Sequence, residues 1–298
     1  MHVDLDRARA FMAGHARLLD RHRFEAATGG GEAARRAVVQ GLDAYRNPDG
    51  GYGWGLEPDL RAPESQPGGA LHACEALVDA GPVTSPHTTG LLDWLDSATL
   101  PDGGLPFALP IREPAGCAPF WAEADPTTSS LQITAAVAAQ AHLLARHDPA
   151  VRDHPWLATA TRYCFAAIGD IDAAPFAYVL MFSLHLLDAT ADAHPEARRL
   201  AEHLRPYVPP DGKLAVAGGT EALRPLDLSP APGGPTRDLL DPDVVTADLE
   251  RLEEGQLADG GWAVELTSFS DAAALEWRGH ATVGAVTVLS ANGRLGPA

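Results

Sequence analysis

Tight turns built on Asp-Gly recur along this 298-residue chain at nearly regular intervals. Glycine reaches positive φ without steric cost and aspartate hydrogen-bonds its own backbone, so Asp-Gly favours a sharp turn. The turns are Asp49-Gly50-Gly51, Asp102-Gly103-Gly104, Asp211-Gly212 and Asp259-Gly260-Gly261. They lie about 50 residues apart, with one gap of about twice that length, and a period of this size indicates repeated supersecondary units.

Helical periodicity fills the stretches between these turns. Apolar residues at helical spacing predict helices over 3–21, 33–46, 68–80, 86–97, 127–146, 150–168, 172–190, 195–205, 242–255 and 279–289. Residues 206–240 are rich in proline and glycine and predict a long irregular connection, and the sequence shows no strand pattern longer than a few residues. We therefore predict a single all-α domain over residues 1–298.

The predicted helices are of two kinds. Helices 195–205 and 242–255 are amphipathic, whereas helix 172–190 is apolar nearly all round, and helices 127–146 and 279–289 are weakly polar. A helix that is apolar on every side is buried on every side. Alternation of the two kinds predicts an inner ring of buried helices wrapped by an outer ring. The Asp-Gly turns then lead from outer to inner helices on one rim.

Charge and composition exclude several classes of function. A net charge of −18 argues against nucleic acid or an anionic membrane as partner, because clustered Lys and Arg bind both. The single lysine, Lys213, lies in a turn, which disfavours Schiff-base chemistry. The N-terminus has no apolar signal segment, the longest apolar run is too short for a membrane span, and three separated cysteines suit a reducing compartment. We expect a cytoplasmic protein with no integral membrane segment.

The last turn carries the most specific motif. Gln256-x3-Gly260-x-Trp262, with Leu252 four residues before the glutamine, resembles the QW repeat of squalene–hopene cyclases and related class II terpene cyclases. In that family the glutamine closes a helix end and stacks on the tryptophan. The wider pattern of Asp-Gly-Gly turns leading into inner helices is also similar to the β-subunits of protein prenyltransferases. The resemblance covers residues 33–292 and implies an α/α toroid around an apolar central cavity.

The resemblance also implies chemistry that the motifs here match only in part. Class II cyclases protonate an alkene with the middle aspartate of Asp-x-Asp-Asp, and in Asp170-Ile171-Asp172-Ala173 the fourth position is lost. The sequence has no Asp-Asp-x-x-Asp to hold magnesium and a diphosphate. His280, at the start of the last predicted inner helix, resembles the zinc-binding histidine of prenyltransferases, but the matching Asp-x-Cys is absent. We predict no cofactor, with Mg²⁺ and Zn²⁺ left open.

Polar residues where inner helices begin are the candidates for chemistry, because the turns bring helix N-termini together at the cavity mouth. Two buried carboxylates can share a proton, and a carboxylate beside an arginine acts as a base. The predicted catalytic residues are Asp170, Asp172, Glu276, His280, Glu57 and Asp59. The predicted substrate-binding residues are Trp54, Arg61, Phe120, Trp121, Trp277 and Arg278.

Each group also has a plain structural interpretation. Asp170 or Asp172 is then an N-cap of the following helix. Glu276 and Arg278 pair to hold the turn, and His280 is a hydrogen-bonded core residue. The remaining polar residues then belong to a surface loop with internal ion pairs. The remaining aromatic residues are then ordinary core residues.

We therefore expect an enzyme that acts on a small, apolar, isoprenoid-like substrate by acid/base-initiated cyclisation or isomerisation. The alternative is a non-catalytic toroid that binds a lipid, a peptide or a protein partner, which the incomplete Asp-x-Asp motif favours. A lyase or hydrolase on the same scaffold is a third hypothesis, because fold does not fix function.

Overall fold

A computed structural model describes residues 3–295, which form fourteen α-helices and one short hairpin. The class is all-α, as predicted, and buried apolar side chains form one connected core. Within this range no helix is long and apolar enough to cross a membrane. The helices are α1 (Leu5–His15), α2 (Leu18–Ala27), α3 (Gly31–Leu42), α4 (Pro67–Asp79), α5 (Thr88–Ala98), α6 (Pro119–Ala122), α7 (Leu131–Ala145), α8 (Pro149–Arg152), α9 (Pro155–Gly169), α10 (Ala177–Thr190), α11 (Glu196–Leu204), α12 (Pro225–Leu228), α13 (Pro242–Glu254) and α14 (Asp271–Ala291), and the antiparallel strands are β1 (Leu214–Ala215) and β2 (Ala222–Leu223).

The first predicted helix, 3–21, is two helices in the structure. The chain breaks between α1 and α2, where Arg17 has an extended backbone with ψ of 153°. The Arg17 guanidinium donates to the carbonyl oxygens of Gly55 and Leu56, at 3.2 and 2.9 Å. These tertiary contacts override the continuous apolar periodicity, so α2 is a separate helix that the sequence did not reveal.

The last helix begins earlier than predicted. α14 starts at Asp271 rather than at 279, and the Ser270 hydroxyl is its N-cap, accepting from the backbone N–H of Ala273 at 3.1 Å. Serine followed by aspartate is a strong helix start, and it lies between the predicted helices 242–255 and 279–289, where we predicted no helix. As a result, the candidate residues 276–280 all lie on one helix.

Smaller corrections apply to four other segments. α7 begins at Leu131 rather than 127, and α10 begins at Ala177 rather than 172. Pro155 divides the predicted helix 150–168 into the one-turn α8 and the longer α9. The predicted irregular connection, 206–240, contains the hairpin and the one-turn α12.

The three Asp-Gly-Gly turns share one construction. In each, the first glycine has φ between 94° and 97°, a left-handed conformation that favours glycine. The aspartate carboxylate accepts from the N–H of the second glycine at 3.0–3.2 Å. It also accepts from a group near or on the next buried helix: the Ser65 hydroxyl in the first turn, the Ser129 hydroxyl in the second and the Arg278 guanidinium in the third. The predicted turns are therefore also hydrogen-bonded to the segments that begin or form the next buried helix.

The buried helices contact one another in chain order. α2 packs against α4, α4 against α7 and α7 against α10, and α14 returns to α2. α4, α7 and α10 are buried over most of their surface, whereas α3, α11 and α13 bury a narrower stripe. The two kinds of helix seen in the sequence therefore alternate in the structure.

Gln256 and Trp262 hydrogen-bond the last turn to the start of α1 and to α13. The Gln256 Oε1 accepts from the backbone N–H of Asp4 at 2.9 Å, and its Nε2 donates to the carbonyl oxygens of Asp4 and Gly260 at 2.8 and 2.9 Å. The indole N–H of Trp262 donates to the carbonyl oxygen of Leu252 on α13 at 2.8 Å. The glutamine thus joins the start of α1 to the last turn, and the tryptophan joins that turn to α13.

Candidate functional site

Asp59 connects the segment after the first turn to α14. It is 3% exposed. Its Oδ1 accepts from the backbone N–H of Phe269 and its Oδ2 from the indole N–H of Trp277, both at 2.8 Å. Both carboxylate oxygens of Asp59 therefore accept hydrogen bonds from the protein. In this arrangement Asp59 positions Trp277, whereas we had predicted a catalytic role for it.

Glu57 is the most strongly perturbed of the predicted carboxyl groups. It is buried, and its Oε2 has no hydrogen-bond partner among residues 3–295. Burial, followed by the nearby charge of Asp59, raises the pKa of Glu57 to about 8. The group is therefore mostly protonated at neutral pH and resembles a carboxyl acid catalyst in charge state, but it faces a narrow apolar void beside Leu56 and Leu60 rather than a ligand-sized cavity.

The ion pairs of α14 differ from the predicted Glu276–Arg278 pair. Glu276 binds Arg61 at 2.6 Å, whereas Arg278 binds Asp259 at 2.9 Å. Residues two apart on a helix point to different sides, so Glu276 and Arg278 do not face each other. The guanidinium of Arg278 also lies 4.5 Å from the centre of the Phe11 ring. Arg278 is therefore part of the last turn and not of a substrate site.

Asp170 and Asp172 are exposed, in the connection between α9 and α10. Neither is the N-cap of α10, because that position is Phe176 and no side chain caps it. The burial that a shared proton requires is missing, so the predicted acid pair is wrong on geometry. The cause is the later start of α10, which leaves both aspartates in solvent.

Three of the predicted aromatic binding residues lie outside the cavity described below. Trp54 is exposed, and its indole N–H donates to the Asn47 side chain at 2.7 Å. Phe120 is also exposed. Trp121 is buried and stacks on Phe107, with ring centres 4.4 Å apart, so it is a core residue. These three residues do not meet at one cavity.

A cavity of about 480 Å³ lies between α10 and α14 and is also bounded by β2, α12 and α13. Its wall is mostly apolar, with Tyr178 and Met181 on one side and Trp262 on another. The volume falls in the range of sites that hold drug-sized molecules. Trp277 and His280 line it, and they are the only residues of the predicted set that do so in the described chain.

The charged side chains on the cavity wall have a net negative charge. They are Glu221, Asp227, Glu265, Arg224 and Arg251. Arg224 binds Glu265 at 2.7 Å, and Arg251 binds Asp248 at 2.6 Å. Both guanidiniums are therefore neutralised by carboxylates, and the wall disfavours a polyanion such as a diphosphate.

Behind His280 lies a network of charged side chains from three helices. Arg23 on α2 donates to Nδ1 of His280 at 3.1 Å and to Asp79 on α4 at 2.7 Å. Asp20, which is fully buried, lies 3.4 Å from Arg23 and 2.8 Å from Arg17. The network therefore joins α2 to α4 through an ion pair and α2 to α14 through the hydrogen bond from Arg23 to His280.

His72 and Glu75, one turn apart on α4, complete this cluster. His72 Nδ1 lies 2.7 Å from Glu75 Oε2, and the His72 ring packs edge-on against His280 and Trp277. Burial by itself would raise the pKa of Glu75, but His72, His280 and Arg23 lower it to about 2. Glu75 is thus ionised throughout the physiological range.

His280 is the point at which this cluster reaches the cavity. Burial lowers the pKa of His280 to about 3, and the charges of Arg23 and His72 act in the same direction against the opposing charge of Glu75. Its remaining exposure is through the cavity wall. At neutral pH the side chain is a neutral imidazole, which donates from one nitrogen and accepts at the other.

Sequence reasoning missed most of the cluster. The missed residues are Asp20, Arg23, His72, Glu75 and Asp79. A signal was present, because the three- and four-residue spacings among these residues place them on one face of a helix. The three-residue spacing of Asp20 and Arg23 was not recognised because α2 was not predicted as a separate buried helix.

His72, Glu75 and His280 are residue types that bind metal ions. Ligand atoms of His72, Glu75 and His280 lie within 4.8 Å of one another, and two histidines with one carboxylate suit zinc or iron. The Arg23 guanidinium, however, occupies the Nδ1 lone pair of His280 and places a positive charge beside the site. The residues as arranged therefore do not fit a cation, and we assign no chemistry to one.

Comparisons with known proteins identify the fold alone. No family model and no curated protein matches the chain. The chain is similar to the crystal structure of a protein from Actinoplanes, with a TM-score of 0.57 and 15% sequence identity, covering 97% of this chain and 98% of that one. At 15% identity, the similarity indicates a shared fold and gives no evidence about activity.

Proposed function

We propose that the helices form an α/α toroid similar to that of terpene cyclases and prenyltransferase β-subunits. The succession of contacts from α2 through α4 and α7 to α10, with α14 back against α2, supports a ring of buried helices. The contacts of Gln256 with Asp4, which join the last turn to the start of α1, support closure of this ring. Cys74, Cys117 and Cys164 are free and buried, which suits a cytoplasmic protein.

The protein is, in this proposal, a terpene cyclase-like enzyme that cyclises or isomerises an apolar, isoprenoid-like molecule in the cavity between α10 and α14. One observation carries the proposal: a cluster of polar side chains meets a ligand-sized, mostly apolar cavity at His280. An isomerisation needs no co-reactant, and such a cavity supplies orientation. The reaction begins at the polar group of the substrate that lies against His280.

The substrate is uncharged. The cavity wall has three carboxylates against two arginines, each of which is already paired. A diphosphate there would be repelled by the carboxylates and would find each guanidinium already bound to a carboxylate. This distinguishes the proposed substrate from the prenyl diphosphates that the resemblance alone implies.

A second hypothesis is a non-catalytic toroid that binds an apolar ligand. Asp59 and Arg278 are hydrogen-bonded within the protein, and Asp170 and Asp172 are exposed. These four predicted catalytic or binding residues therefore do not line the cavity, which favours the second hypothesis. Product formation separates the two hypotheses, since both predict binding.

Incubation with farnesol and with farnesyl diphosphate, followed by gas chromatography–mass spectrometry, tests the enzyme. We expect an isomeric product from a neutral substrate and none from the diphosphate. The His280→Ala variant is expected to form product about 100-fold more slowly, the low end of the effect of removing one hydrogen-bond donor that stabilises charge developing on a substrate oxygen.

His15→Ala is the matched control, because His15 is an exposed histidine on α1 away from the cavity. Its rate should equal that of the wild type. An undiminished rate in His280→Ala would contradict the role of His280. Binding of a neutral ligand without any product would support the non-catalytic hypothesis instead.

A further inference from the structure

We infer that His280 offers the cavity a hydrogen-bond donor, its Nε2–H, and that the ligand presents an uncharged oxygen acceptor such as a ketone, aldehyde or ether. Arg23 is the positioning residue that fixes this tautomer. The inference rests on the function proposed for the cavity and specifies the polar group of its substrate.

The tautomer follows from the chemistry of the Arg23 contact. A guanidinium has donors only, so the nitrogen that it contacts must supply a lone pair. Arg23 lies 3.1 Å from Nδ1 of His280. A neutral imidazole carries one proton, and with Nδ1 accepting, that proton is on Nε2.

Arg23 is itself held in place. Its Nε donates to Asp79 at 2.7 Å, and Asp20 lies 3.4 Å from its terminal nitrogen. The guanidinium is buried between these two carboxylates. Turning it away from His280 would leave buried charges without partners, so the tautomer is set by the fold and not by local side-chain freedom.

The donor is available to a ligand. Nε2 of His280 makes no hydrogen bond to any residue in 3–295, and the ring is steadied edge-on by His72 and Trp277. His280 lines the cavity, and the next residues of α14 along the wall, Ala281 and Gly284, are small and apolar. A donor held beside small apolar residues favours a ligand that can accept its hydrogen bond at that place.

The wild-type tautomer can be measured directly on the whole protein labelled with ¹⁵N-histidine. We expect two-bond ¹H–¹⁵N spectra at pH 7 to show His280 as the neutral Nε2–H form, with the signal assigned by its loss in His280→Gln. An Nδ1–H form or an imidazolium would overturn the inference.

Ligand selectivity tests the consequence. Dissociation constants of 2-nonanone and nonane are compared by tryptophan fluorescence in the wild type, in His280→Phe and in His280→Gln. The preference for the ketone should fall about tenfold in His280→Phe, which has no donor, and return in part in His280→Gln, whose amide N–H replaces it.

The outcomes distinguish this inference from the proposed function. If both ligands bind with the same ratio in all three proteins, the donor role of His280 is wrong while the cavity still binds ligands. If neither ligand binds the wild type, the proposed function fails together with this inference.

Discussion

The Arg23→Leu variant is expected to be less stable than the wild type by about 3–5 kcal/mol, the usual cost of removing one partner of a buried ion pair. Arg23 is buried and bonds Asp79 on α4 while lying beside Asp20 on its own helix. Without the guanidinium, Asp79 is left without its ion-pair partner and Asp20 keeps only Arg17. Urea unfolding followed by circular dichroism at pH 7 measures the difference.

The double variant Arg23→Leu/Asp79→Leu sharpens this test. It removes both charges of the inter-helix pair, so it should recover part of the stability that the single variant loses. Arg36→Leu is the surface control, since the Arg36–Glu32 pair on α3 is exposed and should matter little. A loss in Arg23→Leu as small as that in Arg36→Leu would show that the network does not hold the helices together.

Between pH 5 and pH 8 the wild type is expected to lose stability relative to Glu57→Gln. The raised pKa of Glu57, about 8, means that the folded protein keeps this proton when the unfolded chain has released it. Stability from the buried neutral carboxyl is therefore full below the unfolded pKa and declines as the pH rises towards 8. The expected relative loss is about 3 kcal/mol, because each tenfold change in proton affinity is about 1.4 kcal/mol.

The free energy of unfolding of both proteins, measured by urea titration at several pH values, gives this difference curve. Glu57→Gln keeps the shape and burial of the side chain and removes its titration. The control is Glu113→Gln, which makes the same change at an exposed glutamate outside any ion pair in the described chain. A difference curve for Glu57→Gln that does not depend on pH would contradict the raised pKa of Glu57.

The helical class and the turn construction follow from local physics, and for that reason the sequence predicts them well. Apolar spacing marks helices, and Asp-Gly-Gly forms the same hydrogen-bonded turn at three places. Where local signals conflict with tertiary contacts, the prediction was wrong. The break at Arg17 depends on carbonyl groups 38 and 39 residues away, which periodicity cannot show.

The candidate site was predictable only at the two residues that neighbour a turn. His280 and Trp277 were identified because they lie close to the last Asp-Gly-Gly motif. Arg23 and His72 come from helices more than 200 residues away along the chain, and their meeting with His280 depends on which helices neighbour α14. The exposure of Asp170 and Asp172 depended on where α10 begins, and helix boundaries are the weakest part of a sequence prediction.

The central claim is that the cavity between α10 and α14 is the ligand site, and two glycine variants test it most directly. Gly284 lines the cavity and Gly14 lies on the exposed face of α1, and a Cβ added at either position meets no atom within 4 Å. A leucine at 284 therefore fills the cavity without a clash at its Cβ, and a leucine at 14 projects into solvent.

The measurement is the dissociation constant of farnesol for the wild type, Gly284→Leu and Gly14→Leu, followed through quenching of tryptophan fluorescence. If the cavity is the ligand site, binding is at least tenfold weaker in Gly284→Leu, a difference of about 1.4 kcal/mol, and unchanged in Gly14→Leu. Equal affinity in all three proteins would contradict this claim, because the ligand would then bind somewhere else.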